Sequence, residues 1–199
     1  MKKNQKIAIA CIVLIFSLTF TMQILVIHQL SQKTGLQFVD EDLIFTVNGT
    51  IASVNARYAL YNHETYDTFW ISLPFAVKPW NISLSFDGET LDYFDSTMKL
   101  PDYPAYFDCI IFQINLEQYV KKDVVVTYER IFDVNTTDVP HTGSLKYIVG
   151  STLSWNYPLE FAHFELWQYN NTELNLLETR DFTNWWPPEM FLIFDFELI

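Results

Sequence analysis

The chain has 199 residues, half of them hydrophobic and 17% aromatic, and its formal net charge at pH 7 is −12. A surface field of that sign repels phosphate backbones, so the composition excludes a nucleic-acid-binding protein. Only two cysteines are present, and because Cys11 lies in an apolar N-terminal run, we expect no disulfide within a folded domain.

The first feature along the chain is an apolar run without a single charge, Ile7 to Ile27. A helix rising about 1.5 Å per residue over this length crosses the roughly 30 Å hydrocarbon core of a bilayer. Lys2, Lys3 and Lys6 precede the run, and basic residues beside a span stay in the cytoplasm. We therefore expect an uncleaved signal-anchor with the rest of the chain outside. A cleaved secretory signal is the alternative, but no A-x-A-like cleavage site follows the run.

This interpretation divides the chain into a cytoplasmic basic tail, a transmembrane anchor, a short polar stalk and an extracytoplasmic domain, at 1–6, 7–30, 31–35 and 36–199. The part beyond the anchor carries nine basic residues against all 24 acidic ones, a net charge of −15. Its one acidic triplet, Asp40-Glu41-Asp42, is expected to be a solvated face. No metal-ligand spacing, nucleotide-binding loop or catalytic motif occurs, so we expect no cofactor, no metal and no catalytic residue.

Apolar and polar residues alternate with a period of two through much of the domain, which is typical of half-buried strands. The clearest row takes every second residue from Ala52 to Leu60. Asp87-Gly88, between two alternating segments, predicts a type I′ hairpin turn. Segments 95–105 and 133–143 are predicted loops. The remaining predicted strands are 43–47, 69–75, 82–86, 89–94, 110–116, 124–128, 145–149, 162–169 and 192–198.

About ten short strands and no helical stripe predict an all-β fold, specifically an antiparallel β-sandwich, with a closed barrel as the alternative. The order of NARYALYN, ISLPF and ISLSFDGE resembles that of immunoglobulin-like ectodomains in general. The Cys…Trp…Cys core of antibody domains is absent. Cys109 lies in the apolar run DCIIF and is expected to be a buried free thiol.

The glycosylation motif Asn-x-Ser/Thr occurs four times, at Asn48, Asn81, Asn135 and Asn170. In an exported domain each asparagine is a candidate glycan site that must face solvent. Asn135 and Asn170 lie in polar, loop-like stretches, and we expect at least these two to be used.

Four aromatic residues fall at connections between predicted strands: Trp155, Tyr157, Trp185 and Trp186. Exposed aromatic side chains in loops can stack on sugar rings, anchor a protein partner or lie at a membrane interface. The alternative, which we favour, is that these rings cap the open ends of the sandwich.

Four histidines are available, at positions 28, 63, 141 and 163, but none has the spacing of a zinc site. We expect His163 to be a partly exposed strand residue. Glu160 and Glu165 are a carboxylate pair of the kind that glycosidases use. With 24 acidic residues such pairs occur by chance, so we do not expect an enzyme.

These observations predict a membrane-anchored, non-catalytic cell-surface module that mediates protein–protein interaction in the envelope or in a membrane complex. The alternative is a carbohydrate-binding or glycan-processing ectodomain that uses the loop aromatics. In a further alternative the anchor itself binds neighbouring helices through its polar side chains, namely Ser17, Thr19, Thr21 and Gln23.

Overall fold

The computed structural model describes residues 35–65, 67–100, 103–137, 139–149 and 157–198. The predicted tail and the predicted anchor, Ile7 to Ile27, lie outside these residues. Within them every regular element is a strand, so the all-β prediction is confirmed. No helix in these ranges has the length and apolar character needed to cross a bilayer.

The described ranges contain thirteen strands. Their bounds are β1 Leu36–Asn48, β2 Ile51–Asn62, β3 Asp67–Phe75, β4 Trp80–Phe86, β5 Glu89–Thr90, β6 Phe94–Lys99, β7 Tyr106–Leu116, β8 Lys121–Ile131, β9 Asp133–Asn135, β10 Thr142–Ile148, β11 Leu159–Asn170, β12 Glu173–Trp185 and β13 Phe191–Glu197. Seven strands form a large sheet in the order β12-β11-β1-β2-β8-β4-β5. The others form two small sheets, which we call the β10 sheet (β13-β10-β9) and the β7 sheet (β3-β7-β6).

The core lies between one face of the large sheet and both small sheets. Tyr147 of the β10 sheet meets Phe45 of β1, with ring centroids 5.9 Å apart. Phe75 of the β7 sheet packs edge-on against Tyr128 of β8 at 5.0 Å. The predicted row from Ala52 to Leu60 is buried at every second residue, because alternate side chains of a strand point to opposite faces.

The pairing is not purely antiparallel, and that part of the prediction is wrong. β1 runs parallel to β11, with Asp40 opposite Phe161 and Val47 opposite Gln168. Alternation with a period of two is the same in parallel and antiparallel strands, so the pattern could not distinguish them. Parallel neighbours require a long connection, and here nine strands intervene between β1 and β11.

The Asp87-Gly88 turn is confirmed, with φ values of 53° and 84°. Phe86 pairs with Glu89 across it, as a type I′ hairpin requires. The pairing stops after Thr90, because the chain then crosses to β6 in the β7 sheet. The predicted turn is therefore confirmed, whereas the predicted strand 89–94 is wrong beyond Thr90. Segment 95–105 is likewise not all loop, since β6 continues to Lys99.

Strand direction gives the domain two distinct ends. At one end β1 begins at Leu36, beside the last residue of β2, Asn62. We call this the Gly35 end. At the other end, which we call the far end, β1 turns into β2 through Gly49. Because β11 is parallel to β1, it also finishes at the far end, at Asn170.

Candidate functional site

β12, an edge strand of the large sheet, is exposed along most of its length. Among the described residues no strand lies beyond it, so half of its backbone groups point away from the sheet. Leu174, Leu176 and Leu177 are 44%, 47% and 37% exposed. The strand contains neither Lys nor Pro, which commonly prevent edge strands from pairing. β12 is therefore open to a further strand over residues 173–176, before the β-bulge at Leu177.

Apolar surface continues from β12 onto the outer face of the large sheet. Leu174 lies opposite Tyr169 and Leu176 opposite Trp167. Trp167 is half-buried, and its Nε1 donates to Glu165 at 2.7 Å. We call Trp167, Tyr169 and the three β12 leucines the leucine patch.

A charged cluster around His163 borders this patch on the same face. Its Nδ1 lies 2.6 Å from Asp181 and its Nε2 3.2 Å from Glu165. The hydrogen bond to Asp181, supported by that to Glu165, raises the pKa of His163. Both ring nitrogens face carboxylates, and no group of three metal-ligating side chains occurs in the described ranges. His163 is thus a partly exposed strand histidine, as predicted.

Glu160 and Glu165 do not form the carboxylate pair that glycosidases use. They lie five residues apart on β11, which at about 3.3 Å per residue separates their Cα atoms by roughly 16 Å. An odd spacing also directs the two side chains to opposite faces. Glycosidase carboxyl groups lie about 5–9.5 Å apart.

The structure describes three of the four predicted loop aromatics, and Trp155 lies outside the described residues. Tyr157 is 40% exposed and stacks on His63 with ring centroids 5.4 Å apart. Trp185 stacks on a phenylalanine of β12 at 4.1 Å and packs against the core. Its neighbour Trp186 is 47% exposed.

Three exposed aromatic residues gather at the Gly35 end. The N–H of His63 donates to the carbonyl of Gly35 at 2.8 Å, which places Tyr157 beside the start of β1. Tyr119 is 66% exposed, and its N–H donates at 2.7 Å to Asn62 in the same region.

Trp186 joins this group through the register of β12. Trp185 pairs with Leu159, the first residue of β11, so Trp186 follows at the same end of the sheet. We call Tyr119, Tyr157 and Trp186 the aromatic rim. Sequence reasoning missed Tyr119, which lies in the short turn between β7 and β8.

All four glycosylation motifs lie towards the far end. Asn48 and Asn170 are the last residues of β1 and β11, and Asn135 ends β9, which follows the far end of β8. Asn81 lies beside Glu129 in the far half of the sheet, and its Nδ2 donates to that carboxylate at 2.8 Å. Asn48, Asn81 and Asn135 are exposed, and Asn170 is half-buried.

The interior contains an acidic residue that the sequence prediction placed in solvent. Glu41 is 1% exposed and lies opposite Tyr58. The hydroxyl of Tyr147 donates to its Oε1 and lies 3.0 Å from the hydroxyl of Tyr58. Glu41 Oε2 has no hydrogen-bond partner in the described structure. The solvated-face prediction is wrong for Glu41, because alternation turns it inward while its two aspartate neighbours point outward.

Burial raises the pKa of Glu41 from 4.5 to about 8, although the hydrogen bond from Tyr147 acts in the opposite direction. Burial therefore favours the neutral form of the carboxyl. A cavity of about 30 Å³ lies beside it, lined also by Tyr58 and Tyr147. The sequence did contain a signal, since Glu41 extends the buried row formed by Leu43, Phe45 and Val47.

A buried base occupies the same interior. Arg130 of β8 donates from Nη1 to the carbonyl of Lys146 at 2.7 Å. Burial lowers its pKa, while the nearby Tyr128 acts in the opposite direction. Burial also raises the pKa of Tyr128 to about 12. These groups give the core fixed polar contacts.

No protein-family model and no curated protein matches the chain. Among solved structures it resembles a Legionella pneumophila protein thought to bind nutrients, with TM-score 0.68 and 8% identity over 83% of this chain and 68% of that one. Only the fold is shown by this likeness.

Two peptidases align less well. An M1 zinc metallopeptidase from Deinococcus radiodurans gives TM-score 0.42 and 13% identity, covering 75% of this chain and 39% of the enzyme. Aminopeptidase A from Legionella pneumophila gives 0.39 and 13%, covering 69% and 16%. The chain spans less than half of either enzyme, and these alignments support no inference about its activity.

Proposed function

We propose that this chain is a membrane-anchored, non-catalytic cell-surface module that binds another protein of the envelope or of a membrane complex. Ile7 to Ile27 is the anchor, and the lysines before it keep the N-terminus in the cytoplasm. The domain is a mainly antiparallel, immunoglobulin-like β-sandwich outside the cytoplasm. Two layers with apolar side chains between them support this finer description.

The observation that carries the proposal is the exposed edge of β12. An extended segment of a partner can add to such an edge through main-chain hydrogen bonds, while side-chain pockets give specificity. β12 carries three acidic residues, Glu173, Glu178 and Asp181, against one arginine. The partner segment should therefore combine apolar residues, for contact with the leucine patch, with basic residues opposite the carboxylates.

Replacing Leu176 by lysine tests this surface, because a charge at an edge disfavours the addition of a strand. The full chain is crosslinked in intact membranes of its own host. We expect a crosslinked species in the wild type that Leu176→Lys reduces at least fivefold. Ile193→Lys is the matched control, since Ile193 is similarly exposed on another edge strand, β13. Recovery of monomer alone, or an equal loss in both variants, would contradict the proposal.

A carbohydrate-binding role is the second candidate, and the exposure of Tyr157 and Trp186 favours it. Trp185 contributes less to such a site, because one face of its ring is covered. A glycan array probed with the full chain in detergent tests this role. Binding that Trp186→Ala abolishes would support it, and an array without signal would exclude it.

A further inference from the structure

We infer that the aromatic rim is a membrane-contact surface that lies in the zwitterionic headgroup layer of the bilayer. This inference rests on the anchoring part of the proposed function. It adds a lipid partner to the protein partner proposed for β12, and it fixes which end of the domain faces the membrane.

Covalent connection limits how far the Gly35 end can be from the membrane. Only residues 28–34 separate Ile27 from Gly35. A chain extends at most about 3.5 Å per residue, so this end remains within about 28 Å of the hydrocarbon core. The headgroup layer itself occupies the first 5–8 Å or so of that distance. Residues beside Gly35 are therefore held within reach of the headgroup layer.

The chemistry of the rim suits this layer. Tryptophan and tyrosine combine an apolar ring with one polar group, and both are enriched where hydrocarbon meets water. Tyr119, Tyr157 and Trp186 are exposed, so no rearrangement of the core is needed for contact. Trp185, the residue before Trp186, is packed against the core.

Charge at the Gly35 end selects the type of lipid. Glu64 and Glu117 are exposed near His63 and Tyr119, and the two lysines at this end, Lys121 and Lys122, are already paired with Asp40 and Asp87. These carboxylates, together with the net charge of the domain, disfavour an anionic surface. We therefore expect contact with phosphatidylcholine-like headgroups rather than with acidic lipids.

The glycosylation motifs agree with this orientation. All four lie towards the far end, where attached glycans would extend into solvent rather than meet the headgroups. The Gly35 end, as far as the structure describes it, contains none.

Tryptophan fluorescence can test the contact directly, because all six tryptophans follow the anchor in sequence. The full chain is reconstituted into phosphatidylcholine vesicles that carry bromine near the headgroup end of the acyl chains. We expect partial quenching, and Trp186→Phe should remove at least half of the quenched fraction. Trp80→Phe is the matched control, since Trp80 is 36% exposed and lies opposite Glu129 in the far half of the sheet. It should leave the quenched fraction unchanged.

A second variant and a change of lipid composition test the same contact. Tyr119→Glu should reduce the quenching by at least half, because it places a charge in the rim. Replacing half of the lipid by phosphatidylglycerol should also reduce the quenching, and an increase would overturn the lipid assignment.

The failure of this inference is distinguishable from that of the proposed function. Protein that does not float with the vesicles would contradict the anchor, and with it the proposed function. Protein that floats but shows no quenching, or quenching that Trp186→Phe leaves intact, would overturn the membrane contact alone. Far-ultraviolet circular dichroism of each variant confirms that the strands are retained.

Discussion

The two ends of the domain differ in surface chemistry although the same sheet supports both. The Gly35 end presents the aromatic rim, whereas the far end presents turns and glycosylation motifs such as Asn48 and Asn170. Between them the core is continuous. The comparison teaches that the core specifies the fold, while residues at and just beyond the strand termini give each end its own surface chemistry.

The largest effect on stability is expected from Glu41, in the part of the interior nearer the Gly35 end. Its folded pKa of about 8 exceeds the ordinary glutamate value of 4.5. Its contribution to stability is therefore complete below about pH 4.5 and is lost as pH rises to 8. At about 1.4 kcal/mol per unit, the free energy of unfolding should fall by up to about 5 kcal/mol over that range.

Denaturant unfolding of the full chain in detergent at several pH values measures this slope. Glu41→Gln should flatten it, because a neutral amide does not titrate. Glu160→Gln, at an exposed position on β11, should leave the slope unchanged. An equal slope in wild type and Glu41→Gln would show that other groups control the pH dependence.

The interior nearer the far end depends on close packing instead. A Cβ at Gly143 would lie 2.6 Å from Phe196 and 2.8 Å from Phe132, whose rings are paired at 5.4 Å. We expect Gly143→Ala to destabilise the domain by about 1–3 kcal/mol, since inserting atoms into a packed core forces side chains to shift. Thermal unfolding measures the loss. Ser144→Ala is the control, and equal melting temperatures for the two variants would contradict the prediction.

The smallest effect on stability is expected from the glycosylation motifs, although they define the far end. Asn48→Gln and Asn170→Gln should each lower the intact mass of native material by one glycan. Both should change the free energy of unfolding by less than about 0.5 kcal/mol, as surface substitutions usually do. A wild-type mass equal to that of the bare polypeptide would remove the glycan assignment and weaken the contrast between the ends.

Alternation predicted the strands well where one side of the strand is buried. The rows in β2 and β7 are examples, because burial on one face imposes a period of two. β12 was missed because its inner face is only half-buried and carries the charged residues Glu178 and Arg180 beside Phe182, so apolar residues do not alternate along it. Glu41 was wrongly predicted to face solvent. The prediction followed its two acidic neighbours rather than its position in a buried row.

The candidate surfaces were harder to predict than the strands. Trp185 and Trp186 are adjacent, yet one packs inward and the other is exposed. Which of the two packs inward depends on the register of β12, and the sequence pattern does not reveal that register. The gathering of glycosylation motifs at the far end depends on the direction of β11, and no local pattern distinguishes a parallel from an antiparallel strand.

The position of β1 also has a mechanical consequence. It is the strand that follows Gly35 directly, and it is hydrogen-bonded to β2 on one side and β11 on the other. Tension applied along the chain at Gly35 would act parallel to β1 and across those hydrogen bonds. Many bonds would then share the load and yield together, so the fold should resist pulling at Gly35 better than it resists the peeling of an edge strand.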